Sequence, residues 1–273
     1  MPELPEVARV ALSLNEGLKE RRINRIHVHS GRYSRHGEPE GLKEFRGSLP
    51  VKIMEVSFRG KFILFEGVNQ RGNQVWIWNT LGMGGNWRKE KTKHGHVEFG
   101  LEDGGSYFFT DIRNFGTLKF VDSLEKTSEK LNSIGPDHLN SEITDSVFKS
   151  RLMKFPKKTL PEVLMDQSLI GGIGNYIKAE VLYRCKLSPH RTVESLSDQD
   201  FSNLNRETKK VVVGSFLNGG ATLYTFENTD GERGEYSFEL KVYGKSFCEM
   251  GFPVIRETTK DKRTTHWVPQ IQK

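Results

Sequence analysis

Met1-Pro2-Glu3-Leu4-Pro5-Glu6 opens the chain, and its reading decides what the rest of the molecule is for. A small residue after Met1 permits removal of the initiator methionine, which would leave Pro2 with a free secondary amine. The pKa of such an amine lies near the α-amino value of about 8. A useful fraction is therefore neutral at pH 7, and burial or a neighbouring cation enlarges it. A secondary amine that attacks a sugar aldehyde carbon gives an iminium with no N–H proton to lose, a lasting electron sink from which loss of a neighbouring phosphate follows. Glu3 and Glu6 supply carboxyl groups to move the protons. The same residues also suit a plain helix start, because Pro5 fits a first turn and acidic residues there favour the helix dipole.

Beyond Pro5, Val7, Val10, Ala11, Leu14 and Leu18 fall at helical spacing and predict a helix of about four turns. From Ile23 to about Phe120 the pattern changes to short strands: Ile23 to Val28, Val51 to Phe58, Phe62 to Phe65, Gln74 to Trp78, His96 to Phe99, Tyr107 to Phe109 and Thr117 to Phe120. Gly, Asn and Asp separate them, as in an antiparallel sandwich. Gly135-Pro136-Asp137 is a turn signal after which the spacing becomes helical, so the fold class is α+β with domains at 1–135 and 136–273. Glycines at 171, 172 and 174 precede Asn175-Tyr176-Ile177-Lys178-Ala179-Glu180; converging backbone N–H groups at such a helix entry make a ready phosphate site, although packing alone also explains glycines there. Ser197 can cap a helix carrying Phe201, Leu204, Val211, Val212 and Phe216.

The 273 residues carry 41 basic against 35 acidic side chains, a net charge of +6 that suits a polyanionic partner. No apolar run of about 18 residues and no signal-peptide pattern occurs, so a soluble intracellular protein is expected, with no membrane partner. Cys185 and Cys248 make neither a disulfide framework nor a four-thiolate zinc site.

Three strand connections hold candidate binding groups. Arg59-Gly60-Lys61 allows close backbone approach and puts a cation at its end, which can reach a phosphate or a reacting sugar. Leu81-Gly82-Met83-Gly84-Gly85 sets an apolar side chain between glycines, where it can act as a wedge between bases or fill a core gap. In Asp111-Ile112-Arg113-Asn114-Phe115-Gly116, Arg113 can hydrogen-bond an orphaned base and Phe115 can stack beside it.

Together, from Pro2 to Gln272, these segments resemble the formamidopyrimidine-DNA glycosylase and endonuclease VIII family. The resemblance implies that Pro2 is the nucleophile, Glu3 the proton donor, and Lys61 a contact to the DNA backbone at the damaged nucleotide. It implies that Met83, Arg113 and Phe115 fill the hole left by a flipped base, and that Asn175 binds a phosphate from a helix–two-turn–helix motif. Glu180 would have a structural role there, and the loop through Gly234 would lie over the flipped base.

Family members commonly end in a zinc finger with two Cys-x-x-Cys pairs. Here the flanking signposts persist (Val242-Tyr243-Gly244, Gly251-Phe252-Pro253, Arg263-Thr264-Thr265), but Phe247, Met250, Val268 and Ile271 fall where four thiolates would stand, with Cys248 one position out of register. This resembles a zincless β-hairpin finger, about 241–273, held by apolar packing in place of metal bonds. Arg263 would remain at its tip to meet the DNA by the lesion. No metal and no cofactor is expected.

The resemblance thus implies a bifunctional DNA glycosylase and abasic-site lyase of base excision repair, acting as a monomer on damaged double-stranded, or also single-stranded, DNA by β- then δ-elimination. Pro161, where many purine-repairing members carry lysine, and the zincless finger favour oxidised pyrimidines or hydantoins. Leu4, Met83, Arg113 and Phe115 fit the alternative, 8-oxoguanine and formamidopyrimidines. A retained Met1 would leave a non-catalytic protein that binds damaged DNA, and a helix–two-turn–helix RNA-binding protein would explain the charge but not the N-terminal string.

Overall fold

The computed structural model describes residues 1–220 and 239–273. Helix α1 (Leu4–Leu18) forms where the spacing predicts it, with Val7, Val10, Ala11, Leu14 and Leu18 withdrawn from water. It starts on a reciprocal capping box: the Glu3 side chain accepts the N–H of Glu6, and Glu6 accepts the N–H of Glu3 at 2.8 Å. After β1 (Arg22–Val28) come two short helices, α2 (Arg32–His36) and α3 (Leu42–Phe45). The strands β2 (Val51–Arg59), β3 (Phe62–Asn69), β4 (Gln74–Thr80), β5 (Gly85–Arg88), β6 (Gly95–Leu101), β7 (Ser106–Asp111) and β8 (Thr117–Val121) follow.

These eight strands pair antiparallel in the order β5-β7-β6-β1-β2-β3-β4-β8. The sheet curls until its two ends face each other. The ring of Trp87 on β5 lies 5.5 Å from Phe65 on β3 and 4.8 Å from Phe99 on β6, and its indole N–H donates to Asn79 Oδ1 on β4 at 3.0 Å. The expected sandwich is therefore one continuous ladder wrapped around an aromatic core. Strand β3 reads as the unbroken run Phe62-Ile63-Leu64-Phe65 because both of its faces are covered. Ile63 and Phe65 enter the sandwich core, while Phe62 and Leu64 meet Trp76, Val121 and Ile134 in a second layer beneath α4 (Leu124–Asn132).

Helices α5 (Asp145–Leu152), α6 (Leu160–Leu164), α7 (Asn175–Arg184) and α8 (Asp198–Leu217) build a separate core around Phe148, Leu152, Leu164, Ile177, Leu182 and Phe201. Two turns separate α6 from α7, and the Ser197 hydroxyl caps α8 by accepting the Asp200 N–H at 3.2 Å. Leu4 belongs to this helical core although it starts α1, and its N–H donates to the Gly172 carbonyl at 3.0 Å. The turn at Gly135-Pro136-Asp137 is stitched to both sides. The Gly171 N–H donates to the Pro136 carbonyl at 2.9 Å, and the buried Asp137 carboxylate accepts the Gly60 N–H at 2.9 Å.

A hairpin of β9 (Ile255–Thr258) and β10 (Thr264–Trp267) ends the chain, with Thr264 opposite Thr258 and Trp267 opposite Ile255. Val268 packs with Cys248, Val242, Ala179 and Tyr183, and Ile271 lies against them. Phe247 and Met250, expected to share that packing, are instead 64% and 65% exposed. Cys248 takes the inward place because successive residues of the extended stretch around the Phe247–Pro253 bridge point to opposite sides. Among the described residues no helix is long and apolar enough to cross a membrane. The loop expected over a flipped base, through Gly234, lies almost wholly at 221–238, outside the described residues.

Candidate active site

Glycines at the α7 entry let the N-terminal string reach the helix. A Cβ at Gly174 would collide with the Glu3 carboxylate. With none there, that carboxylate accepts the N–H groups of Tyr176 at 2.8 Å and Ile177 at 3.2 Å. The N–H groups at the α7 entry, where the sequence suggests a phosphate site, are thus met by the protein's own Glu3 carboxyl. Burial pushes the Glu3 carboxyl above the usual carboxylate range, against the downward pull of Lys61 and of the two N–H bonds. Glu6, also buried, accepts the Tyr176 hydroxyl at 3.2 Å.

Pro2 is buried beside this pair, and the Met1 amine stands next to it in the chain. Burial lowers the pKa of that amine, Glu3 and Glu6 raise it, and Lys61 and Arg113 lower it again. These groups therefore share one electrostatic field. Lys61 is held below the ordinary lysine range, first by loss of water, with Glu3 and Glu6 pulling it up and Arg263 pushing it further down.

A second group forms the rim. Asp111 is buried at the end of β7, and its carboxylate accepts the N–H of Arg113 at 3.1 Å and of Gly116 at 2.6 Å, which folds the loop back. Arg113 and Phe115 consequently project together, the guanidinium 5.7 Å from the ring centroid, with Phe115 55% exposed. Gly82 has φ +59, and a Cβ there would strike the Phe115–Gly116 backbone, so the turn carrying the partly exposed Met83 packs directly on this loop. The three side chains expected to act together thus lie on adjoining turns. Asn175 starts α7, but its Nδ2 donates to the Thr264 carbonyl at 2.8 Å, tying it to the hairpin whose turn carries Arg263.

Residues 1–118 match the model of the formamidopyrimidine-DNA glycosylase N-terminal domain, and residues 134–227 match that of the formamidopyrimidine-DNA glycosylase helix–two-turn–helix domain. A formamidopyrimidine-DNA glycosylase of Listeria innocua is 32% identical over 282 aligned residues, covering 100% of both chains. This chain belongs to the formamidopyrimidine-DNA glycosylase family. Its fold superposes on a variant of the Lactococcus lactis family member bound to Fapy-dG-containing DNA with a TM-score of 0.86 at 26% identity, covering 100% of each chain. The wild-type Lactococcus lactis protein, in complex with DNA containing an oxidised pyrimidine, gives a TM-score of 0.84 at 26% identity, again over 100% of each chain. Membership of the glycosylase family makes the chain a DNA-repair enzyme with glycosylase and abasic-site lyase activity.

Several residues that build this glycosylase site escape the sequence reading. Tyr176 looks like core filler, yet its hydroxyl bridges Glu6 and Ser215 Oγ, the latter at 3.0 Å. Burial, then the Glu6 and Glu3 charges, push its phenol far above the ordinary value, so it stays a neutral donor. Asp111 carries a legible signal, an aspartate followed by polar turn residues, but its role as loop organiser emerges only from the fold. Glu180, for which the resemblance already implies a structural role, anchors the hairpin approach: its carboxylate accepts the N–H groups of Lys241 at 2.9 Å, Val242 at 2.9 Å and Tyr243 at 2.8 Å. Among the described residues no group of three or more His, Cys, Asp or Glu side chains could hold a metal ion.

Proposed function

We propose that removal of Met1 frees Pro2 to act as the nucleophile of a base-excision glycosylase and abasic-site lyase on DNA. The observation that carries this reading is the buried Glu3 carboxyl on the α7 N-terminus, inside the field that also bears on the N-terminal amine and Lys61. A carboxyl with a raised pKa favours the form that has a proton to give, and the burial that lowers the Met1 amine would act in the same direction on a Pro2 amine exposed at that place, favouring a free lone pair. In this reading the Pro2 nitrogen attacks C1′ of a flipped nucleotide, the C1′–N bond to the damaged base breaks, and Glu3 protonates the ring oxygen as the sugar opens. The resulting iminium acidifies C2′, Glu3, now a carboxylate, takes the C2′ proton as the electron pair flows toward the iminium, and the 3′-phosphate leaves; a second elimination of the same kind releases the 5′-phosphate. Glu6, bonded to Tyr176 and to the Glu3 N–H, holds Glu3 in place and relays protons.

Lys61 and Arg263 neutralise phosphates about the lesion, Asn175 hydrogen-bonds one, and Met83, Arg113 and Phe115 replace the flipped base. Residues 1–135 then form the catalytic domain and 136–273 the DNA-binding domain, whose hairpin from about 241 stands without zinc. The substrate favoured is an oxidised pyrimidine or hydantoin, because Pro161, buried in the first turn of α6, offers no cation where many purine-repairing members carry lysine. The second reading, formamidopyrimidines and 8-oxoguanine, draws on the name of the Listeria innocua relative and on Leu4, Met83, Arg113 and Phe115.

Borohydride trapping on duplexes carrying thymine glycol, a hydantoin, 8-oxoguanine or an abasic site tests both levels. Intact-mass analysis first establishes that Met1 is gone. An adduct mapped to Pro2 is expected, strongest on the pyrimidine and hydantoin duplexes. Correctly processed protein that binds all four and traps none would overturn the mechanism, and strongest trapping on 8-oxoguanine would select the second substrate reading.

A further inference from the structure

Lys178 lies one turn along α7 from Asn175, its side chain 0% exposed, with Nζ 2.7 Å from Oδ2 of Asp261, a side chain only 4% exposed. An ammonium so removed from water is costly unless paired, and apolar residues of like size would pack at least as well. Such a pair is better suited to fixing one geometry than to adding stability. Asp261 stands in the turn between β9 and β10. Its Oδ1 accepts the Thr259 hydroxyl at 2.6 Å and the Arg263 N–H at 3.3 Å. The Thr259 hydroxyl lies 2.7 Å from that of Thr265, closing the turn from its other side. One carboxylate thus joins α7 to the backbone that carries Arg263, next to the Asn175–Thr264 bond. The Arg263 charge bears on both Lys178 and Lys61, so the hairpin turn and the Glu3 site share one electrostatic field.

We infer that Lys178 is a positioning residue that, through Asp261, pins the hairpin turn to α7 so that Arg263 is presented to the DNA backbone beside Lys61. The inference rests on the DNA contact proposed for Arg263. Lys178 itself, fully buried, touches no DNA. Its contribution is preorganisation: the turn is already fixed when the duplex arrives, and no ordering is left for binding to complete.

The test measures binding of the full chain to a duplex with a tetrahydrofuran abasic analogue over a salt series, for wild type, Arg263→Ala, Lys178→Met and the double variant. Loss of one phosphate contact lowers the slope of log affinity against log salt by about one. Lys178→Met is expected to weaken binding roughly tenfold, to lower that slope by about one as Arg263→Ala does, and to add little to Arg263→Ala. Lys178→Met combined with Asp261→Asn removes both charges while leaving an amide oxygen to accept the turn N–H; it keeps the comparison open if the single variant misfolds, and the same loss is expected. Wild-type affinity and slope in either Lys178 variant, with only the melting temperature lowered, would overturn the inference. If Arg263→Ala itself leaves affinity and slope unchanged, the contact proposed for Arg263 is what fails, and the pin loses its purpose.

Discussion

The carboxylate of Glu3 accepts the backbone N–H of Tyr176 at 2.8 Å across 173 positions of sequence. One bond of this kind makes the N-terminal string and the helix–two-turn–helix motif a single device, because neither end of it is in place without the other. Two influences oppose each other at Glu3. The helix N-terminus favours the anion, and burial favours the acid; the raised pKa shows that burial prevails.

Glu3→Gln is therefore expected to cost base excision on the order of 10²- to 10⁴-fold, since an amide preserves the acceptor for Tyr176 but has no proton to give. The folded carboxyl sits above its ordinary value of 4.5, so folding takes up a proton as pH rises past that value. The stabilisation is accordingly complete below the unfolded pKa and is lost as pH rises through the folded one. Glu3→Gln should consequently raise the melting temperature relative to wild type at pH 8 more than at pH 5. Equal differences at the two pH values would show that Glu3 titrates normally.

Gly174→Ala should uncouple folding from catalysis. The added methyl meets the Glu3 carboxylate, so Glu3 must leave the α7 N-terminus or the helix must shift. Overpacking of this kind costs about 1–3 kcal/mol. We expect a cooperative but earlier urea transition and a loss of excision approaching that of Glu3→Gln. Wild-type excision in Gly174→Ala would mean that the Glu3 bonds to α7 are dispensable.

Much of this arrangement is legible in the sequence, for reasons of period and chemistry. Helix α1 announces itself through five apolar residues at helical spacing, and α8 through Ser197 and its buried face. Strand β5 does not, because Gly85-Asn86-Trp87-Arg88 has one large apolar side chain and no alternation, and its pairing with β7 is a long-range event. Helices α2 and α3, of five and four residues, are too short to show a period. In the site, Pro2, Glu3, Lys61, Arg113 and Asn175 stand out by residue type and motif. Tyr176 and Lys178 do not, since each acts through a partner far away in sequence, and Asp137, legible as a turn residue, gives no sign of its bond to Gly60. At the hairpin the register favours Phe247 and Met250 as packing residues; pleating turns Phe247 outward and Cys248 inward, and Met250 is exposed in the tight turn that the Gly251 N–H closes on the Cys248 carbonyl.

Arg113→Ala and Phe115→Ala should impair excision from duplex DNA while leaving abasic-site cleavage on single-stranded DNA intact. The two side chains are held out over the rim by the Asp111 turn, where an orphaned base has to be satisfied only if a second strand is present. A good base contact discriminates by about 1–3 kcal/mol, so Arg113→Ala should also flatten the preference among opposite bases by roughly that amount. Single-turnover excision against each of the four opposite bases measures this. An unaltered preference in Arg113→Ala would remove it from base recognition.

His138 should make the joint between the two halves sensitive to acid. It follows Asp137, whose carboxylate holds the Gly60 N–H, and its ring packs 6.3 Å from Phe148, with Nε2 buried and without a hydrogen-bond partner among the described residues. Burial lowers its pKa to about 4, against an upward pull from Asp137 and with a smaller downward push from Lys209. Here the unfolded chain binds the proton first, near 6.5. The stability contributed by neutral His138 is thus complete above 6.5 and is lost as pH falls from there to about 4. The loss by pH 4.5 is on the order of 2–3 kcal/mol. Urea unfolding at pH 7 and pH 4.5 should show a smaller acid-induced drop in His138→Phe than in wild type by about that amount. Identical drops in the two proteins would mean that the ring gains a proton without cost and that the joint relaxes around the charge.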